Sequence, residues 1–151
     1  MRTIEEAFES LTRQFGLPIE IDEYGGCQLI IDDVIVLDIE ISPSGKELLF
    51  VIDLGEVLVG KYRHDLLKAA LIENGKPYPR YGDLAFSPQG DTLLLSDLLI
   101  IEAYDDESLI NYWELFTNKA KMWMEYITAG RVPPVGKQDR SSPFGGPGMR
   151  L

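Results

Sequence analysis

The chain has 151 residues, a mass of 17.0 kDa, 45% hydrophobic residues and a formal net charge of -11. That length indicates one domain able to bury roughly 70% of the surface its unfolded chain exposes, so folding needs no metal or disulfide. A single cysteine, Cys27, excludes an intramolecular disulfide, no apolar run approaches the ~20 residues that span a bilayer, and the acidity opposes binding to nucleic-acid phosphates or anionic lipid.

Met1-Arg2-Thr3-Ile4-Glu5-Glu6 places two glutamates where the apolar run of a signal peptide would start, so a soluble, cytoplasmic protein is expected. Thr3 is a predicted N-cap with Glu6 three residues on, as in a capping box. Ile4, Ala7, Phe8, Leu11 and Phe15 follow at helical spacing, and Gly16 and Pro18 stop the helix. A β-meander is predicted next: Cys27 to Ile31, a turn at Asp32-Asp33, Val34 to Ile41, a turn at Ser42-Pro43-Ser44-Gly45, then Glu47 to Leu54.

In the second strand Ile35, Leu37, Ile39 and Ile41 point one way; in the third, Leu48, Phe50, Ile52 and Leu54 do. Val34, Val36, Leu49 and Val51 lie on the opposite face, so both faces are partly apolar. A helix layer on one side leaves that surplus to a second helix, a second subunit or a ligand.

A second helix is predicted from Lys61 to Asn74, ended by Gly75. Strands follow over Asp83 to Phe86 and Thr92 to Ile101, joined by Ser87-Pro88-Gln89-Gly90, which repeats the earlier turn chemistry. The last helix is capped by Asp105 or Asp106, carries Leu109, Trp113, Phe116, Ala120, Trp123 and Ile127 at three-four spacing, and closes at Gly130. Residues 131–151 hold four basic residues against one acidic (net +3), which leaves -14 on the body before them. With Pro133-Pro134, Ser141-Ser142-Pro143 and Gly145-Gly146-Pro147-Gly148, they read as a disordered basic tail behind a domain at 1–130. The order α-β-β-β-α-β-β-α describes an α+β fold with a twisted antiparallel sheet.

No catalytic constellation emerges. The one histidine, His64, sits beside Asp65 on a predicted helix, with no Gly-x-Ser-x-Gly elbow to serve and only Cys27 as a thiol partner. Cys27 begins a strand among apolar neighbours and reads as a small hydrophobe. Asp22-Glu23, Asp32-Asp33 and Asp105-Asp106-Glu107 lack EF-hand spacing and stand where turns and caps favour aspartate. The glycines at 145–148 do not join a strand to a helix, so they make no phosphate cradle. No cofactor or metal is expected, and the chain reads as an acidic protein-binding module suited to a basic or neutral partner.

Three stretches carry a likeness. They are the opening helix ending in Phe15-Gly16-Leu17; the strands Cys27 to Ile31, Val34 to Ile41 and Lys46 to Phe50; and Tyr81-Gly82-Asp83-Leu84-Ala85-Phe86 with Gly90 leading into Leu93-Leu94-Leu95. Over residues 1–129 the chain resembles the class I type III secretion chaperones, the Tir-chaperone-like family. The resemblance implies a bacterial cytoplasmic homodimer, without nucleotide hydrolysis, that binds the N-terminal region of secreted effectors and serves virulence. It keeps that segment secretion-competent until export, with the secretion ATPase or sorting components as further partners. Carried onto this sequence, it implies an effector groove at Leu11, Phe15, Leu17, Ile30, Val36 and Phe50, and a dimer contact at Tyr62, Leu66, Leu67 and Ala70. The alternative is a regulatory or scaffold protein of the same fold, outside secretion.

Overall fold

The computed structural model describes residues 6, 7, 9, 10, 13, 26–77 and 80–135. The described residues among 6–13 are helical (α1). They are followed by β1 (Gly26–Ile31), β2 (Ile35–Ile41), β3 (Glu47–Glu56), α2 (Lys61–Asn74), β4 (Asp83–Ser87), β5 (Thr92–Ile100), a 3-10 turn at Ile101–Ala103 and α3 (Asp106–Ala129). The expected order and fold class hold. The expected cap at Thr3 and the stop at Gly16-Pro18 lie outside the described residues.

The turns explain the strand boundaries. Asp32 and Asp33 both take left-handed φ angles, 53° and 61°, which aspartate tolerates, and the Val34 amide donates to the Ile31 carbonyl at 3.1 Å. Val34 is therefore spent on the turn, and β2 starts one residue later than its composition suggests. In the next turn the Gly45 amide donates to the Ser42 carbonyl at 2.9 Å. Gly45 and Gly90 have φ angles of 74° and 86°, so the two Ser-Pro-x-Gly turns do use glycine alike.

All pairings in the five-stranded sheet are antiparallel, in the order β1-β2-β3-β5-β4. The period of two decides what is buried. Ile35, Leu37 and Ile39 of β2, Leu48, Phe50, Ile52 and Leu54 of β3, and Leu93, Leu95 and Leu99 of β5 form one core with Leu66 of α2 and Leu109, Trp113, Phe116 and Trp123 of α3. Helix α3 is capped as its sequence indicates. The Asp105 carboxylate accepts from the Ser108 amide at 2.8 Å, and the Ser108 hydroxyl accepts from the Asp105 amide at 3.0 Å. Gly130 ends it in the left-handed conformation. Past Gly130, Val135 is buried; the expected tail from 136 onward lies outside the described residues.

Strand β4 stands at the sheet edge, where unpaired backbone groups need partners. Asn74, the last residue of α2, supplies two: its Oδ1 accepts from the Leu84 amide and its Nδ2 donates to the Leu84 carbonyl, both at 2.8 Å. Replacing Asn74 by alanine is expected to cost about 1–2 kcal/mol, read as a lower urea midpoint with unchanged slope. An unchanged midpoint would mean that water serves this edge as well as the amide does.

Candidate functional site

The helices cover one face of the sheet. The other face carries Ile30 of β1, Val36 of β2, Leu49 and Val51 of β3, and Leu94, Leu98 and Ile100 of β5. Ile30, Leu98 and Ile100 are 56%, 51% and 57% exposed. Ile30 pairs with Val36, and Leu49 with Leu98, so the apolar side chains form cross-strand patches. Asp38, Glu40 and Asp53 stand between them. The five strands together hold seven acidic residues and no lysine, arginine or histidine. Among the described residues no element covers this face, which is thus bare, apolar and acidic.

Of the expected groove residues, Ile30 and Val36 meet on this face. Phe50 does not reach it: even-numbered residues of β3 point to the helices, and Phe50 is fully buried against the Trp113 ring, 4.7 Å between centroids. It is a core residue. Leu11, Phe15 and Leu17 lie outside the described residues. Leu98 and Ile100 were missed because the Leu93–Ile101 run is apolar at nearly every position, so alternation could not assign its faces.

The expected dimer residues divide in the same way. Leu66 and Ala70 are buried within their own chain, because α2 turns that stripe onto the sheet. Tyr62 is half-buried, and its hydroxyl donates to the Arg131 carbonyl at 3.0 Å. Leu67 is half-buried, while Leu71, one turn on, is 72% exposed; Leu58 and Val59, which precede the helix, are exposed as well. The apolar side chains that α2 leaves wholly or partly uncovered are therefore Leu71 and Leu67.

A second feature lies where β4 stops and β5 continues. The last β4–β5 pair is Asp83 with Ser96, which leaves Asp97 to Ile100 without a neighbour on that side. A cavity of about 300 Å³ fills the step, with Tyr81, Tyr104, Tyr112 and Asp97 in its wall beside Arg80 and Asp83, which pair with each other. The rings of Tyr81 and Tyr104 each stand 5.9 Å from that of Tyr112. The Tyr112 hydroxyl donates to Asp97 Oδ2 at 2.7 Å, and Asp97 Oδ1 accepts from the Leu98 amide at 2.8 Å. Burial, reinforced by the Asp97 carboxylate, pushes the Tyr112 and Tyr104 phenols above their ordinary range, so both stay neutral.

The cavity's wall is held from below. Lys119 of α3 donates to the Arg80 carbonyl at 2.8 Å and the Gly82 carbonyl at 3.0 Å, and it pairs with Glu73 of α2 at 3.2 Å. Burial alone would raise the Glu73 carboxyl, but Lys76 and Lys119 together hold it below its ordinary value. Burial lowers the Lys119 ammonium despite Glu73. Asp83 is occupied by Arg80 at 2.8 Å.

The residues that could do chemistry are dispersed. The His64 side chain is 79% exposed on α2, with its Nδ1 3.3 Å from Asp65. Cys27 is half-buried at the start of β1. Asp32 lies in a turn, where it pairs with Lys121 of α3, and Asp105 caps α3. Among the described residues no three His, Cys, Asp or Glu side chains are placed to hold a metal ion, and no helix is long and apolar enough to cross a membrane.

The description "Tir chaperone protein (CesT) family" belongs to a family model that matches residues 6–124. Solved structures share the fold. A chain of the HopA1–SchA chaperone–effector complex superposes with a TM-score of 0.61 at 18% identity, covering 80% of this chain and 92% of that one. A chain of the Yersinia pestis type III secretion chaperone SycH in complex with a stable fragment of YscM2 gives 0.58 at 22%, covering 78% and 96%. A chain of the heterodimeric ExoU–SpcU complex from the type III secretion system of Pseudomonas aeruginosa gives 0.57 at 20%, covering 78% and 94%. No curated protein matches the chain in sequence.

Proposed function

This chain belongs to the Tir chaperone protein (CesT) family, and from that premise we propose that it is a type III secretion chaperone for effector proteins. The structural observation that carries the reading is the bare sheet face, apolar and acidic, on a domain whose other face is already packed. An exposed apolar surface of this extent marks a place for a protein partner. The partner is the N-terminal region of an effector, bound as an extended segment in the bacterial cytoplasm. Ordering such a segment costs entropy, which only a long contact surface can offset. The chaperone acts by binding, without catalysis. It works as a homodimer whose self-contact includes Leu67 and Leu71 of α2.

The reading is tested in the native host. Deletion of the chaperone is expected to lower export of one effector, and that effector is expected to co-purify with the tagged protein through its N-terminal region. Normal export of every effector would sink it. The face itself is tested by Ile30→Glu with Val36→Glu, both exposed positions. Effector affinity is expected to fall about tenfold or more, since a charge buried against an apolar segment loses well over 1.4 kcal/mol. Stability should change by less than about 1 kcal/mol, as for surface substitutions. Light scattering should give a mass near twice 17.0 kDa for parent and variant alike. Retained affinity in a folded variant would move the contact off this face.

A further inference from the structure

The step between β4 and β5 is built like a receptor for a positive charge. Three tyrosines line it, and tyrosine faces attract cations within about 6 Å of the ring centre; the one cation in the wall, Arg80, is paired with Asp83. Asp97 stands among them on the helix side of the sheet, half-buried. Its carboxylate is fixed by the Tyr112 hydroxyl and the Leu98 amide, and each of its oxygens keeps a further lone pair. Among the described residues it has no ion-pair partner, unlike Asp83 beside it, which Arg80 neutralises.

The backbone around the cavity is costly to shape. Tyr81 has a φ of 58°, rare for an aromatic residue, and Gly82 follows at 105°. Such conformations persist where surrounding structure imposes them, and Lys119 does so here through the Arg80 and Gly82 carbonyls. The cavity opens beside the exposed Leu98, next to the bare apolar face.

We infer that this cavity is a recognition pocket for one cationic side chain, an arginine or a lysine, of the protein segment bound on the adjacent face. The cation's source rests on the chaperone reading; the pocket's chemistry does not. Asp97 supplies the counter-charge, and the rings of Tyr81 and Tyr104 flank the guanidinium or ammonium. The bound segment accordingly carries a basic residue beside its apolar anchors, matching a sheet that has acids and no bases.

The test is a nuclear magnetic resonance titration of the full chain with N-acetyl-arginine methylamide, N-acetyl-lysine methylamide and the neutral isostere N-acetyl-citrulline methylamide. Saturable, millimolar shifts at Gly82, Leu98 and Tyr104 are expected with a cationic probe and not with citrulline. Asp97→Asn keeps an acceptor for the Tyr112 hydroxyl and removes the charge; Tyr104→Leu keeps bulk and removes the aromatic face. Each is expected to weaken binding about fivefold or more. If Asp97→Asn loses its dispersed spectrum, Tyr104→Leu at its half-exposed site decides. No saturable shifts with either cation, equal shifts with citrulline, or undiminished binding in folded variants overturns the pocket. A protein that supports effector export but ignores the probes loses the pocket alone. One that binds the probes but affects no effector loses the chaperone reading alone.

Discussion

Trp113→Ala is expected to remove about 3–5 kcal/mol of folding stability, the range for emptying a tryptophan-sized site in a packed core. Trp113 is fully buried on the sheet-facing side of α3. Its ring stands edge-on to Phe50 at 4.7 Å and 68°, and stacks beside Phe116 at 6.2 Å and 20°. The residue joins α3 to β3 at the middle of the core, so its loss both returns apolar area and opens a cavity. Domains of this kind have about 5–15 kcal/mol in total, so the variant should sit near the edge of folding. Urea unfolding followed by far-ultraviolet circular dichroism measures this. Trp113→Phe should recover most of the loss by keeping an aromatic edge against Phe50. A loss below about 1 kcal/mol would mean that α3 can settle onto the sheet without this side chain.

Gly82→Ala is expected to cost about 3 kcal/mol, by two mechanisms that add. At a φ of 105° a side chain strains the backbone, and the added Cβ would stand 2.9 Å from Leu95 Cδ1 and from Phe116 Cε1. Both are buried core atoms with little room to retreat. Gly45→Ala separates the two effects, since Gly45 has a φ of 74° and open space around its missing Cβ. That variant should lose only the backbone part, about 1–2 kcal/mol. Equal losses at the two sites would show that the core yields to the methyl group at position 82. The expected difference would tie the cavity wall at Tyr81-Gly82 to the packing of α3.

The residues of the candidate site were unevenly legible. Alternation along β2 sets Val36 opposite Ile35, Leu37 and Ile39, while Ile30 entered the expected groove only through the family resemblance. Phe50 could not be separated from them, since apolar residues stand on both faces of β3 and periodicity does not say which face a helix covers. The family resemblance, not periodicity, implied a dimer contact at Leu66 and Ala70, and α2 spends that stripe on its own sheet. The tyrosine–aspartate cavity left no mark that local patterns could find: its wall comes from residues 80–83, 97–99, 104 and 112, each unremarkable in its own segment.

What the sequence determined by itself was local. Turns at Asp32-Asp33 and at the two Ser-Pro-x-Gly sites, the limits of α2, the Asp105 cap and the Gly130 stop all follow from backbone preferences acting over three or four residues, and the net charge of -11 follows from composition alone. The tertiary structure alone decided which apolar face remained bare, that β5 would insert between β3 and β4, and that Lys119 would reach back 37 and 39 residues to hold the carbonyls of Gly82 and Arg80. These depend on which surfaces compete successfully for burial when the whole chain collapses, a free-energy balance that no single segment contains.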